Sequence, residues 1–518
     1  MSTIGENDVR VPGSEAGFAE RVIQEAGLRD GTTERTLAWG AVFTVLACYL
    51  AGFLLFYPSV ATNEDEAKYL RQARLLAEGS TLVTKLHPVS GQEIELEPSQ
   101  YPVGTAALMA PFVVALDWRA AYLVPMLGLI AGILLTARWI VDEGRSPIWA
   151  LVIAGFPASL VMGRVAMSDV PSLAIVALGS WLFWRGIDRP WPWWFGAGLV
   201  AGASMIVRES NVLPFLCLFA GTVLRGERKC VGLVAGGVIG ATARFVISWI
   251  TFGDPLYVKA PYQFAFGTIM ERLPLYMLGL LVLVPGGLVF GLAYRGRRRP
   301  EVVATVVLFF LFYLFQPYGI TASSFAKRLV IALRYFLPLL PLLAFATAES
   351  LPRLWRNAQA RLPRQRRLLD GVAALVLVFW VTGLAVAATG VHFAYHQWSS
   401  TQRTMRDAIL EVTGPESVLV TNWWATRKFT SELDRRFLPL DRDETTPEQI
   451  EQLIDYHDVV WIVLLDRSDS PYWLEDAERN AAFLVSLEPW SPELRFDQAV
   501  TPTDRLRIWR LGPERSPG

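Results

Sequence analysis

The sequence predicts a polytopic α-helical membrane protein with a soluble α/β domain at its C-terminal end, and three observations lead to that prediction. Hydrophobic residues make up 53% of the 518-residue chain and the mean hydropathy is +0.34, which is more apolar than a soluble protein of this length. Apolar segments long enough to cross a bilayer recur between residues 38 and 391. After residue 392 the pattern changes to short alternating helices and strands.

The membrane part is predicted to contain about eleven transmembrane helices, since about 20 apolar residues cross a hydrocarbon core of about 30 Å. Residues 1–37 lack a signal peptide and are expected to form a cytoplasmic tail. The first span, 38–57, is followed by a large first outer loop, 59–118. The remaining spans of the membrane domain, which ends at residue 391, are predicted at 119–141, 147–163, 169–185, 193–207, 211–224, 231–252, 274–294, 302–317, 335–349 and 371–391. Pro, Gly and Arg within several spans predict broken or tilted helices that line a protein interior.

The positions of Lys and Arg in the short loops predict the orientation of the chain. The loops RGIDRP, RGERK, RGRRRP and RLWRNAQARLPRQRR are strongly basic and are all cytoplasmic if the N-terminus is cytoplasmic. The same choice places the first outer loop, the VAMSD turn, the stretch FGDPLYVKAPYQFAFGTIMERLP and the C-terminal region outside. We therefore expect a multi-pass protein of the cytoplasmic membrane with an extracytoplasmic C-terminal domain.

The C-terminal domain, residues 392–518, is predicted to be a small α/β unit. HQWSSTQRTMRDAILEV and TPEQIEQLIDYH have helical patterns, while SVLVTN, DVVWIVLLD and RLRIWRLG have strand patterns. No Gly-rich phosphate loop joins a strand to a helix in this region, so the sequence gives no sign of a nucleotide site.

The first outer loop begins with NEDEAKYLRQARLLAEG, which has three acids in its first turn. Asn63 is expected to cap a helix and Glu66 to close a capping box, and acids in a first turn favour the helix dipole. This structural interpretation explains the three acids without any catalytic role. The functional alternative is that Asp65 and Glu66, at the membrane exit of the first span, act on a substrate whose lipid tail stays in the bilayer.

A further acid, Asp169 in GRVAMSDVPS, is predicted at the outer mouth between two spans, preceded by Arg164. Ser168 or Asp169 caps the next helix in the structural interpretation, and this role is compatible with a functional one. Several cations are predicted on the same side: Arg208, Lys259, Lys327, Arg328 and Arg334. Carboxylates facing cations suit a phosphate-bearing substrate, since cations neutralise the leaving phosphate while a carboxylate takes a proton.

The order of these motifs resembles a known family. The acidic pair at 65–66, YPVGTAALMAPF, RVAMSDVPS, FGDPLYVKAPY and RYFLPLLP follow one another as in the GT-C glycosyltransferases, specifically the bacterial branch similar to protein O-mannosyltransferases and the lipid A aminoarabinose transferase. The resemblance covers about residues 38–350.

The resemblance implies a GT-C-like membrane enzyme that takes a sugar from a polyprenyl-phosphate donor on the outer face of the cytoplasmic membrane, with inversion. Asp65 would be the general base supported by Glu66, Asp169 would orient acceptor or sugar, and Arg334 with Tyr335 would contact the donor phosphate. The full set of substrate-binding residues predicted on this basis is Arg164, Lys85, His87, Tyr101, Lys259, Tyr262, Arg334 and Tyr335. The acceptor is left open as a lipid, a glycan or a protein, and membrane lipids surround the chain.

No cofactor and no metal site are predicted, although a divalent metal is left open. The four histidines, His87, His392, His396 and His457, form no recognised zinc spacing. The zero net charge gives no basic excess, so no nucleic-acid partner is expected. Two functions of other classes remain as alternatives, a transporter or flippase of lipid-linked sugars and a membrane-anchored assembly or sensor protein.

Overall fold

The computed structural model describes residues 15–86, 93–96, 101–257, 264–284, 286–316, 325–415, 417–422, 435–440, 447–457, 459–467 and 477–512. It is mostly helical, and its helices are α1 (Glu15–Leu55), α2 (Glu64–Ala77), α3 (Val103–Ala115), α4 (Leu123–Asp142), α5 (Val152–Gly155), α6 (Pro157–Met162), α7 (Asp169–Ile187), α8 (Trp191–Ala203), α9 (Leu213–Leu224), α10 (Cys230–Phe252), α11 (Ile269–Leu278), α12 (Gly287–Leu292), α13 (Arg299–Phe315), α14 (Phe325–Leu333), α15 (Leu340–Arg361), α16 (Arg366–Trp398), α17 (Ser400–Val412), α18 (Pro447–Tyr456) and α19 (Ala477–Ser486). Its strands are β1 (Val83–Leu86), β2 (Glu93–Leu96), β3 (Val418–Thr421), β4 (Arg436–Pro439), β5 (Val460–Arg467), β6 (Glu493–Ala499) and β7 (Asp504–Leu511).

The chain is a multi-pass membrane protein, but the predicted count of eleven spans is not confirmed. Within the described residues, six helical stretches are long and apolar enough to cross a membrane: Thr33–Leu55, Trp118–Asp142, Asp169–Ile187, Cys230–Phe252, Arg328–Arg361 and Pro363–Trp398. The helix of the first span also begins earlier than expected, at Glu15, so the tail predicted at 1–37 is partly helical.

Two of the predicted spans are broken by Pro and Gly, as their composition indicated. The span at 147–163 divides into a 3₁₀ turn, α5 and α6, because Pro157 disfavours a helical conformation at Phe156, which is extended with φ −86° and ψ 114°. The span at 274–294 passes from α11 through a π-helical turn and then breaks at Gly286, whose φ is +68°. The breaks predicted from Pro and Gly are therefore present in these two spans.

Helices α8 and α10 pack closely through glycines spaced four residues apart. Gly198 and Gly202 of α8 face Gly236 and Gly240 of α10, and a Cβ added at any of these positions would collide with the backbone of the other helix. This is the small-residue packing that lets membrane helices approach each other.

The four basic loops lie together at one end of the membrane domain, which we call the basic end. Arg297 forms two hydrogen bonds to Asp188, at 2.6 and 2.8 Å, and so joins the RGRRRP and RGIDRP loops. Arg298 pairs with Glu227 of the RGERK loop at 2.6 Å. Arg353, at the start of the fourth basic segment, donates to the backbone carbonyl that follows α12. The loops that were expected to share one side of the membrane therefore do share one end of the protein.

The C-terminal domain contains a five-stranded sheet in the order β4-β3-β5-β7-β6. Strands β4, β3 and β5 are parallel, and β7 and β6 are antiparallel to their neighbours. The predicted elements are confirmed as α17, β3, α18, β5 and β7. Helix α16 continues to Trp398, so His392 and His396 lie on this membrane helix and not in the domain that was expected to begin at residue 392.

Candidate active site

Helix α2 begins at the position that its sequence predicted. Asn63 adopts an extended backbone, and its side chain accepts a hydrogen bond from the Glu66 N–H at 2.9 Å. Tyr69, Leu70 and Ala73 are buried on one face of the helix. Asp65, in the first turn, lies four residues before Tyr69 and so on the same side of the helix, but it is only partly buried.

The side chain of Glu66 does not close the expected capping box. Its Oε2 accepts from the Thr62 N–H at 2.7 Å and from the Thr62 hydroxyl at 2.9 Å, and its Oε1 accepts from the Ala166 N–H at 3.1 Å. Glu66 is 1% exposed, and burial raises its pKa against the opposing effect of these hydrogen bonds. The carboxylate therefore joins the start of α2 to the chain before Asp169, and this contact favours a positioning role for Glu66.

Asp65 is held by two groups from distant parts of the chain. The Tyr101 hydroxyl donates to its Oδ1, and Arg334 Nη2 lies 3.5 Å from its Oδ2. Burial, followed by the negative charge of Asp65, raises the pKa of Tyr101, so the phenol stays protonated and donates. The Tyr101 ring packs on the Tyr69 ring with centroids 4.6 Å apart. The Asp65 side chain remains 36% exposed.

Asp169 lies in the first turn of α7 and pairs with Arg208. Arg208 Nη1 donates to Asp169 Oδ1 at 2.7 Å, while Oδ2 is buried and has no hydrogen-bond partner within the described residues. The residue is 1% exposed. Ser168 is the N-cap residue but makes no side-chain capping bond, so neither of the two predicted caps takes that form.

The ring of Tyr335 connects the two ion pairs. The guanidinium of Arg334 lies 5.1 Å from the ring centroid and that of Arg208 lies 5.0 Å from it. Asp65, Arg334, Tyr335, Arg208 and Asp169 therefore form one group of alternating charges, which we call the paired-charge site. The sequence predicted all five residues near the outer side, but it did not predict which cation pairs with which acid.

Two buried polar residues beside this site were not predicted. Arg272 of α11 is 1% exposed, and its Nε and Nη2 have no hydrogen-bond partner in the described part of the chain. Gln316, also 1% exposed, likewise leaves both amide atoms unpaired there. Arg272 Nη1 donates to the Leu314 carbonyl at 3.4 Å, and the neighbouring Tyr313 stacks on Tyr335 at 5.4 Å. An arginine inside the apolar run TIMERLPLYM was the signal in the sequence.

Arg164 lies inside the protein. Its Nη1 donates to the His392 carbonyl at 2.8 Å and its Nη2 to the Phe56 carbonyl at 3.1 Å, and the residue is 2% exposed. Because these donors are taken up by backbone, the geometry favours a positioning role over the predicted substrate contact.

The other predicted binding residues are only partly described. Lys85 lies on β1, but its side chain is outside the described residues, as are His87, Lys259 and Tyr262 entirely. In the ranges that are described, no group of three or more His, Cys, Asp or Glu side chains is close enough together to hold a metal ion.

Comparison with known proteins gives a match at the level of fold. No family model matches the sequence, and no curated protein matches it. The crystal structure of ArnT from Cupriavidus metallidurans in the apo state is 15% identical, with 92% of this chain and 100% of that chain covered and a TM-score of 0.63. The same protein bound to undecaprenyl phosphate is 15% identical, with 92% and 99% covered and a TM-score of 0.60.

A third structure is more distant. The oligosaccharyltransferase of Archaeoglobus fulgidus in the apo form is 10% identical, with 82% of this chain and 69% of that chain covered, and its TM-score of 0.45 is too low to support an argument. ArnT is a lipid A aminoarabinose transferase with the GT-C fold, and it matches this chain over nearly its whole length. The fold expected from the order of the motifs is therefore confirmed: the chain has the GT-C fold.

Proposed function

We propose that the protein is an integral membrane glycosyltransferase that transfers a sugar from a polyprenyl-phosphate donor to an acceptor, with inversion and with Asp65 as general base. The fold supports the class of enzyme. The undecaprenyl phosphate bound to ArnT supports the class of donor. A hexosyl or pentosyl group and a lipid, glycan or protein acceptor are all compatible with this proposal.

The observation that carries the proposal is the difference in exposure among the three acids. Asp65 is 36% exposed, whereas Glu66 and Asp169 are each 1% exposed. A general base must come within hydrogen-bond distance of the proton that it abstracts, and among these three only Asp65 has an accessible surface. We therefore assign catalysis to Asp65 and positioning to the other two.

The proposed reaction is an in-line displacement at the anomeric carbon. The acceptor hydroxyl oxygen forms a bond to that carbon while its proton passes to the Asp65 carboxylate. The bond between the anomeric carbon and the phosphate oxygen breaks, and its electron pair leaves on the polyprenyl phosphate. Positive charge nearby stabilises this leaving group, and Arg334 and Arg272, whose Nε and Nη2 have no partner among the described residues, are the side chains best suited to supply it.

Ligand binding by the purified full-length protein tests the class of donor. In detergent or nanodiscs, a polyprenyl-phosphate sugar should raise the unfolding temperature with the concentration dependence of mass action. A soluble nucleotide sugar should not, because the chain has no Gly-rich phosphate loop. Stabilisation by the nucleotide sugar alone would overturn the donor assignment. Movement of intact lipid-linked sugar across vesicles without cleavage would favour the flippase.

We also propose that the paired-charge site opens to the outer face and that the N-terminus is cytoplasmic. The clustering of the four basic loops at the opposite end supports this orientation. Reporter fusions after residues 295 and 360 should be cytoplasmic, and a fusion after residue 420 should be external. A cytoplasmic C-terminal domain would reverse the assignment.

The proposed reaction uses no cofactor and no metal ion, because arginines supply the positive charge. Chelation with EDTA should then leave turnover unchanged. Loss of turnover on chelation, with recovery on adding back Mg²⁺, Mn²⁺ or Zn²⁺, would add a metal to the mechanism.

A further inference from the structure

The segment that leads to Asp65 contacts the C-terminal domain. Residues 56–63 connect α1 to α2, and Arg406 of α17 donates to the Ser59 carbonyl in this segment. Val60 is 3% exposed and belongs to a hydrophobic cluster of the C-terminal domain, with Met405 and Ile409 of α17. The first helix of the domain therefore packs directly on the chain just before Asp65.

A pair of hydroxyl groups extends this contact to Glu66. The Thr62 hydroxyl donates to Glu66 Oε2 at 2.9 Å, and it also lies within hydrogen-bond distance of the Tyr395 hydroxyl on α16. Because Thr62 has given its single hydroxyl proton to the carboxylate, Tyr395 must be the donor to Thr62. Tyr395, Thr62 and Glu66 thus form a chain of hydrogen bonds that ends beside Asp65.

The same helix also contacts the chain that leads to Asp169. Arg164 donates to the His392 carbonyl of α16 at 2.8 Å, and its guanidinium lies 4.5 Å from the Tyr395 ring centroid. Glu66 accepts from the Ala166 N–H at 3.1 Å. Helix α16 therefore has polar contacts to the segments before both acids of the paired-charge site.

We propose that Tyr395 of α16 is a positioning residue for Asp65, and that α16 and the C-terminal domain together hold α2 in its reactive orientation, α16 through Tyr395 and the domain through the contacts at Ser59 and Val60. This inference rests on the proposed function of Asp65. A base displaced by a fraction of an ångström loses rate, whereas donor contacts made by the arginines are unaffected. The effect should therefore fall on kcat and not on KM for the donor.

Single-atom changes in the full-length protein test this role. Tyr395→Phe keeps the ring over Arg164, and Thr62→Val keeps the side-chain shape, but each removes one hydroxyl. Each should lower kcat about three- to thirtyfold with donor KM within about twofold of wild type. Thr62→Ser retains the hydroxyl and should be close to wild type. The double variant should be no worse than Thr62→Val, because both changes break one chain of hydrogen bonds.

The control and a second readout separate this inference from the proposed function. Arg505→Ala removes an exposed ion pair with Asp497 in the same domain and should leave kcat unchanged. Hydrogen exchange of the Thr62 and Ala166 amides, which both donate to Glu66, should be faster in Tyr395→Phe than in Arg505→Ala. If the wild-type protein shows no transfer, the proposed function fails, while hydrogen exchange still tests the positioning. Amide exchange in Tyr395→Phe that is no faster than in Arg505→Ala would overturn the role of Tyr395. It would also be overturned if the effects of Tyr395→Phe and Thr62→Val on kcat were independent and added in the double variant.

Discussion

The ion pair between Arg297 and Asp188 at the basic end and the ion pair between Arg208 and Asp169 at the paired-charge site differ in how deeply they are buried. At the basic end, Arg297 and Asp188 form two hydrogen bonds in the open, with side chains 50% and 69% exposed. At the paired-charge site, Arg208 and Asp169 are 17% and 1% exposed, and Asp169 Oδ2 has no partner among the described residues. Exposed pairs contribute little to stability, and removing one partner of a buried pair is costly.

Under the proposed function, the donor takes up the unused hydrogen-bonding capacity of the buried charges at the paired-charge site. Buried charges whose hydrogen-bonding capacity is incompletely used destabilise a fold unless something else occupies the free atoms. Arg334 Nε and two nitrogens of Arg272 are unpaired in this way within the described chain. Substitutions at the two ends should therefore differ in what they affect, and the predictions below run from the largest expected effect to the smallest.

Asp65→Asn should have the largest effect on activity. The amide oxygen can still accept from Tyr101, but it cannot accept the acceptor proton, so turnover should fall about 10²- to 10⁴-fold with little change in stability. The matched control is Glu64→Gln, which removes one negative charge from the same turn of α2. Glu64 pairs with Lys68 at 2.6 Å, outside the paired-charge site, and its variant should retain turnover. If the two variants lose turnover equally, the loss reflects a general effect of lost charge on α2 and not the loss of the base.

Arg208→Ala should have the largest effect on stability. It leaves the Asp169 carboxylate buried without its partner, which costs about 3 to 5 kcal/mol. Adding Asp169→Asn removes the stranded charge and should recover much of the loss, as measured by thermal unfolding in detergent. Asp169→Asn alone should lower turnover less than Asp65→Asn does. A double variant that is less stable than Arg208→Ala would contradict the pairing.

Arg334→Ala should weaken donor binding. Loss of a charge-assisted contact to phosphate costs about 1.5 to 3 kcal/mol, or roughly tenfold to a hundredfold in Kd for the polyprenyl-phosphate sugar. Arg334→Lys keeps the charge without the planar fork, so its Kd should be intermediate. If the Kd of Arg334→Ala is unchanged, another cation must contact the donor phosphate. Arg272 would then be the first residue to test.

Arg297→Ala at the basic end should have the smallest effect. An exposed pair contributes about 0 to 1 kcal/mol, so the unfolding temperature should change little and turnover not at all. The comparison between the two ends would fail if this variant weakened donor binding as Arg334→Ala is expected to do.

The sequence predicted what depends on local pattern and missed what depends on distant pairing. The start of α2 at Asn63 follows from a capping residue and an apolar face, and both lie within a few residues. The contact between Asp65 and Arg334 joins residues 269 positions apart, and no spacing rule indicates it. Strand β4 is only four residues long and β6 is mostly exposed with an irregular register, so neither has the continuous apolar run by which β3 and β5 were predicted.

The hydrogen bonds of the Glu66 side chain also could not be predicted from the local sequence. The sequence placed an acid three residues after a cap, which is the signature of a capping box. Tertiary contacts instead direct its carboxylate to Thr62 and to Ala166, which is 100 residues away. The carboxylate of Glu66 therefore connects the start of α2 to the segment before α7.

The most direct test of the account is cleavage of the donor by purified full-length protein. With a labelled polyprenyl-phosphate sugar and candidate lipid, glycan or protein acceptors, the wild-type protein should release free polyprenyl phosphate as the sugar appears on the acceptor. Glu64→Gln should release it at a similar rate, and Asp65→Asn should release it about 10²- to 10⁴-fold more slowly. Release by Asp65→Asn at the wild-type rate would contradict the assignment of the base. Transport of the intact donor by the wild-type protein without release would contradict the assignment as a transferase.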